Sequence, residues 1–164
     1  MKLQLLSLSL LLSSVTFAQS PTPVGWHTHI DVGGHYKIDY PDGWQILSKG
    51  NALVITSPGG PEERGVFGIT QKAEGSTIQE SIDKEFSDPE HSPDLQRAPA
   101  KLAGLPATKV WGSKKGDANI RMVEYYIQND KHPYYILFQA PHAATATYSP
   151  IFNTMIGSMQ FLHP

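Results

Sequence analysis

The chain has no cysteine in its 164 residues, which removes disulfides, thiolate nucleophiles, thiolate zinc sites and iron–sulfur ligation together. An excess of basic charge is also missing. Thirteen Lys plus Arg stand against 15 Asp plus Glu, a formal net charge of -2, so nothing in the composition drives binding to phosphates by counterion release. Catalytic signatures are scarce as well: there is no G-x-S-x-G nucleophile elbow and no glycine-rich phosphate loop. The acidic pair Glu62-Glu63 sits beside Arg64 and reads as a solvated turn tip. An enzyme is therefore not expected, and the available chemistry is that of oxygen and imidazole groups.

Long apolar runs are limited to the start. Lys2 precedes a leucine-rich stretch over residues 3–12 and small residues up to Ala18, the pattern of a secretory signal peptide. The stretch falls short of the roughly 20 residues that a membrane-spanning helix needs. Cleavage is expected after Ala18, and Gln19 stands where a lipid-carrying Cys would have to be. A periplasmic or secreted protein without a membrane anchor is the expectation, and a cysteine-free exported chain of this size suits a periplasm.

Residues 1–18 are thus read as signal peptide, 19–34 as an N-terminal arm and 35–164 as a single domain. QSPTPVG at 19–25 holds two prolines and no periodic apolar pattern. From His35 the chain alternates: Tyr36, Ile38 and Tyr40 are separated by Lys37 and Asp39, and Pro41-Asp42-Gly43 then reads as the turn of a hairpin into Trp44 and Ile46. Trp44 is expected to be substantially buried there. Further strands are expected over 52–57, 66–72, 95–102, 106–113, 120–128 and 133–140. A turn at 103–106 and a four-residue loop at 129–132 join the later ones.

Two helices complete the pattern. Ser76 and Gln79 suggest a capping box, with Ile78, Ile82 and Phe86 as one apolar stripe. Ser149-Pro150 reads as the start of a second helix whose Tyr148, Ile151, Phe152, Met155, Ile156 and Met159 share a buried face. Consecutive hairpins with two amphipathic helices imply an α+β fold, an antiparallel sheet covered by helices.

Against that frame, Tyr36-Lys37-Ile38-Asp39-Tyr40-Pro41-Asp42-Gly43-Trp44 resembles the opening YxxxYPxGW segment of the PsbP-like superfamily. Gly59-Gly60, Gly75-Ser76-Thr77-Ile78, Gly104-Leu105-Pro106-Ala107, Tyr134-Tyr135-Ile136-Leu137-Phe138 and the stretch from Met155 to Phe161 follow in the family's order. The similarity is to small bacterial exported members rather than to the photosystem II protein itself. It implies an α/β/α sandwich with a central antiparallel sheet flanked by helices. It also implies a non-catalytic protein that binds and positions other proteins, and it carries no active site across.

Two sets of residues invite a functional reading. His27, His29 and Asp31 alternate along an extended segment, and with His35 they offer imidazole and carboxylate ligands to Zn²⁺, Cu²⁺ or Ni²⁺. His132 and His142, at opposite ends of one strand, stand too far apart to share an ion. The tyrosine pairs Tyr125-Tyr126 and Tyr134-Tyr135 place one ring of each on either sheet face, so an incompletely covered face would present aromatics to a partner. A protein partner is expected, met by the loops at 58–65 and 88–94 or by an uncovered sheet face. Metal binding through His27 and His29 is the alternative.

Overall fold

Alternation builds the sheet. In the strand Ala52–Thr56, Leu53 and Ile55 are wholly buried while Ala52, Val54 and Thr56 are half-buried, as a strand covered more on one face than the other requires. The computed structural model describes residues 25–87 and 94–162. In chain order these form β1 (Trp26–Asp31), β2 (Tyr36–Pro41), β3 (Gln45–Lys49), β4 (Ala52–Thr56), β5 (Val66–Gln71), α1 (Ile78–Ser87), β6 (Gln96–Leu102), β7 (Leu105–Lys114), β8 (Asp117–Asn129), β9 (His132–Pro141), a 3-10 turn (His142–Ala144), α2 (Thr145–Ser158) and β10 (Gln160–Phe161).

The strands make two antiparallel sheets, a seven-stranded one in the order β3-β4-β5-β9-β8-β7-β6 and a three-stranded one in the order β1-β2-β10. Register sorts the large sheet into two faces. Ile55, Phe67, Phe138 and Val123 lie in one row, and Leu53, Ile69, Ile136 and Tyr125 in the next. These rows form the inner face and meet Phe152 and Met155 of α2 together with Tyr36 and Ile38 of β2 in one core. The opposite, outer face carries the row Leu47, Val54, Gly68, Leu137, Glu124 and Val110. There Ile82 of α1 packs with Val110 and Tyr126. The small sheet is tied in by the Asp39 N–H, which donates to Ser158 Oγ at 2.9 Å, and by the Phe161 ring, 4.8 Å from that of Tyr134. This is an α+β fold.

The structure corrects several local readings. β1 falls inside the segment read as an arm. It is an edge strand whose side chains are half-buried or exposed, so no apolar alternation marks it, and its ladder to β2 is what fixes it. The turn at Pro41-Asp42-Gly43-Trp44 forms, with Gly43 at φ 76° and the Trp44 N–H donating to Pro41 O at 3.3 Å. It does not close a hairpin, because β2 belongs to the small sheet and β3 to the large one. Trp44 is consequently only partly buried, edge-on to Tyr148 at 5.9 Å.

Helix α1 is capped by Thr77, whose Oγ1 accepts the Glu80 N–H at 3.2 Å, while Gln79 donates to Asp83 instead of back to a capping serine. Asn129 and His132 pair, so the β8–β9 connection is Asp130-Lys131 alone. Ala103 and Gly104, at φ 49° and 81°, similarly suffice for the β6–β7 turn, both with the positive φ that tight hairpins favour. Helix α2 begins at Thr145, running on from the 3-10 turn, and Pro150 lies within it. The signal peptide at 1–18, the first residues of the arm and most of the acidic 88–94 loop lie outside the described residues. Among the described residues no helix is long and apolar enough to cross a membrane.

Candidate functional site

β1 and the turn after it carry the four candidate ligands, and each is placed differently. His27 Nε2 lies 2.6 Å from Asp42 Oδ1 with its ring against Tyr40, and the side chain is 60% exposed. His29 is half-buried, and its Nε2 is enclosed without a hydrogen-bond partner. Asp31 spends both oxygens on the turn: Oδ1 accepts the Gly34 N–H at 2.6 Å and Oδ2 accepts the Tyr36 hydroxyl at 3.1 Å. His35 stands beyond that turn at φ 51°, and its carbonyl accepts the Leu162 N–H at 2.7 Å.

Pairing to β2 holds His27, His29 and Asp31 on one side of β1, but positions four residues apart on a strand are separated by about 13 Å. One ion cannot reach both ends of that row within bonding distance. His35 lines a separate cavity of about 470 Å³ with His132, Lys131 and Tyr134. Among the described residues no three His, Asp or Glu side chains gather as a metal cluster.

Asp31 instead organises tyrosines. Burial pushes the Tyr36 hydroxyl well above its ordinary value, and the Asp31 carboxylate it donates to adds to the shift. Tyr134 is raised by burial and then by Asp31, and its hydroxyl donates to Gly34 O at 2.7 Å. The carboxylate thereby joins the hairpin turn to Tyr36, and the Gly34 carbonyl of the same turn is held by Tyr134 of β9.

The tyrosine pairs divide between the faces as the strand period requires. Tyr125 and Tyr134 enter the inner core, whereas Tyr126 and Tyr135 stand on the outer face with rings 5.3 Å apart. They do not form an open aromatic patch. Tyr126 is buried next to α1, and the two hydroxyls donate to the buried Glu124 carboxylate at 3.0 Å and 2.5 Å. Burying a carboxylate without such donors would cost several kcal/mol.

The open part of the outer face lies elsewhere, on the strands beyond α1. Leu47 is 65% exposed, and Val54, Val66, Gly68, Thr70 and Leu137 are half-buried. Leu47, Val54, Val66 and Leu137 are themselves aliphatic and uncharged, the character of a surface that can be covered. Sequence reasoning allowed for an uncovered face but did not find these residues, because their exposure depends on where α1 lands.

Ser57 is buried, its Oγ accepting the Gly65 N–H at 2.9 Å and lying 2.8 Å from the Tyr148 hydroxyl. Tyr148 in turn donates to Glu63 O at 2.9 Å. This polar set holds the 58–65 loop against α2.

No protein-family model matches the chain, and no curated protein matches it in sequence. Solved structures do. Cyanobacterial PsbP (CyanoP) from Synechocystis sp. PCC 6803 superposes with a TM-score of 0.56 at 12% identity, over 90% of this chain and 98% of that one. LpqN from Mycobacterium tuberculosis, described as involved in cell envelope biogenesis, gives 0.54 at 16% identity over 84% of this chain and 92% of its own. A protein from Bacteroides thetaiotaomicron VPI-5482 gives 0.53 at 14% identity over 83% of this chain and 48% of that one, so the chain spans about half of that relative. The chain has a PsbP-like fold.

Proposed function

We propose that this PsbP-like chain is an exported, non-catalytic protein that binds or positions another protein through the open half of its outer sheet face. The observation that carries the reading is the uneven cover of that face. Ile82 of α1 seals the side at Val110 and Tyr126, and Leu47, Val54 and Leu137 continue the same row without it. In this reading the large sheet is the middle layer of an α/β/α sandwich, a placement supported by α1 touching Tyr126 and α2 touching its neighbour Tyr125.

A non-catalytic role is supported by how the polar groups are spent: Asp31, Ser57 and Glu124 all hold loops or buried hydroxyls. Export rests on the leucine-rich start and Ala18, with removal of residues 1–18 and a periplasmic or secreted location. LpqN's link to the cell envelope agrees with that location.

Capture from the native envelope tests the reading. The wild-type chain is expected to retain a specific protein, and Val54→Lys is expected to weaken retention at least about tenfold, because a charge on an apolar contact is left desolvated and unpaired. Equal retention by both would exclude this face.

A second reading, transition-metal binding through His27 and His29, is favoured by the enclosed, unpartnered His29 Nε2. Coordination needs both imidazoles free of a proton, so it would weaken in acid. Calorimetric titration of Zn²⁺ and Cu²⁺ into the wild type and the His27→Ala/His29→Ala variant decides it. Equal, weak heats in the two are the expected result, since Asp31 is committed to Gly34 and Tyr36; strong binding lost in the variant would establish the site.

A further inference from the structure

The seven-stranded sheet ends in β3 on one side and β6 on the other, and the two edges are built differently. β6 carries Pro99, which lacks a donor, flanked by Arg97 and Lys101, the means by which exposed edges are blunted against pairing. β3, Gln45-Ile46-Leu47-Ser48-Lys49, has no proline and a charge only at its last residue. All five of its residues are exposed, Leu47 at 65% and Ile46 at 38%. An edge of this kind is a template for another strand.

The phase of its free hydrogen-bonding groups can be read from the turn. β3 and β4 are joined by Gly50-Asn51, with Lys49 opposite Ala52, and in a two-residue hairpin the flanking pair exchanges both hydrogen bonds. Gln45, Leu47 and Lys49 therefore aim their backbone groups at β4. Ile46 and Ser48 aim theirs at the open edge.

We propose that β3 pairs with β3 of a second copy of this chain, antiparallel, about a two-fold axis at Leu47. That register sets Ile46 opposite Ser48 of the second copy, so the outward-facing groups meet each other and every free donor and acceptor on them is used. A shift of one residue would set them against groups already bonded to β4. A shift of two would put Leu47 against Gln45 or Lys49 and shorten the ladder.

Side chains agree with the same register. Leu47 faces Leu47, and each Lys49 faces a Gln45 amide, so no like charges stand opposite each other. The outer-face row Leu47, Val54, Gly68 and Leu137 then runs on into its copy, which doubles the apolar row. The inference stands apart from the proposed function, because self-pairing occupies the edge and leaves the face free.

The chain's lack of cysteine makes the test clean. Directly opposed residues of a non-hydrogen-bonded antiparallel pair have Cα atoms about 4.5 Å apart, within the span that a disulfide bridges. Under mild oxidation Leu47→Cys is expected to form a linked dimer at least about tenfold faster than Ile30→Cys, a control that is also more than half exposed, because the paired thiols share a high effective concentration. Sedimentation of the wild type should show a concentration-dependent dimer, abolished in Ser48→Pro with the circular dichroism unchanged. A wild type that stays monomeric, or a Leu47→Cys that links no faster than the control, overturns the proposal.

Discussion

Phe152→Ala is expected to lower the free energy of unfolding by about 3–5 kcal/mol, the range for removing a buried aromatic from a packed core. Phe152 is 4% exposed and stacks on Phe138 at 4.5 Å, with Phe67 at 5.7 Å and Tyr125 at 6.3 Å. It is thus the point at which α2 is fixed to β5, β8 and β9, and the small residue would leave a cavity between layers that cannot close without moving the helix. Phe152→Leu keeps much of the volume and is expected to cost roughly half as much or less. Denaturant melts of the two variants measure both values. A loss below about 1 kcal/mol for the alanine variant would mean that α2 does not rest on this face.

Alkaline pH should destabilise the fold sharply. Burial raises the hydroxyls of Tyr36, Tyr125 and Tyr134 above the ordinary value of 10.0, with Asp31 adding to the first and last. Above that value the unfolded chain releases these protons while the folded chain keeps them, so the folded state binds more protons and stability falls as pH rises. The stabilisation is complete below pH 10 and is lost progressively above it, each tyrosine contributing up to about 1.4 kcal/mol per pH unit. Urea melts between about pH 8 and about pH 11 follow the slope. Tyr125→Phe keeps the ring and removes one titrating group, so its slope should be shallower by that share; identical slopes would place the titrating groups elsewhere.

Where one face of an element is buried, the sequence was legible. Leu53 and Ile55, Phe67 and Ile69, and the face of α2 from Tyr148 to Ile156, with Met159 just past its end, all follow from spacing, as does the splitting of the two tyrosine pairs. Pairing partners were not legible from local chemistry. Pro41-Asp42-Gly43 specifies a turn but says nothing about which sheet receives Trp44, and β1 carries no alternation because an edge strand needs none. Ser76 lost the capping position to Thr77 by a single residue.

The candidate site divides in the same way. With β1 paired to β2, the alternate spacing of His27, His29 and Asp31 sets them on one side of the strand. It could not register that Asp31 would be claimed by Gly34 and Tyr36, since that depends on the conformation of the turn. The apolar row at Leu47, Val54 and Leu137 is assembled from the β3–β4 hairpin and from β9, which lies far from it in sequence. Its exposure follows from the landing place of α1 and has no local signature.

The most direct measurement of the binding role is site-specific photo-crosslinking in the native envelope, with the reactive side chain at Val54 on the open outer face and, as reference, at Lys101 on the blunted β6 edge. A discrete crosslinked protein from Val54 and none from Lys101 is the expected result. Crosslinks from Lys101 alone, or none from either position, would contradict it.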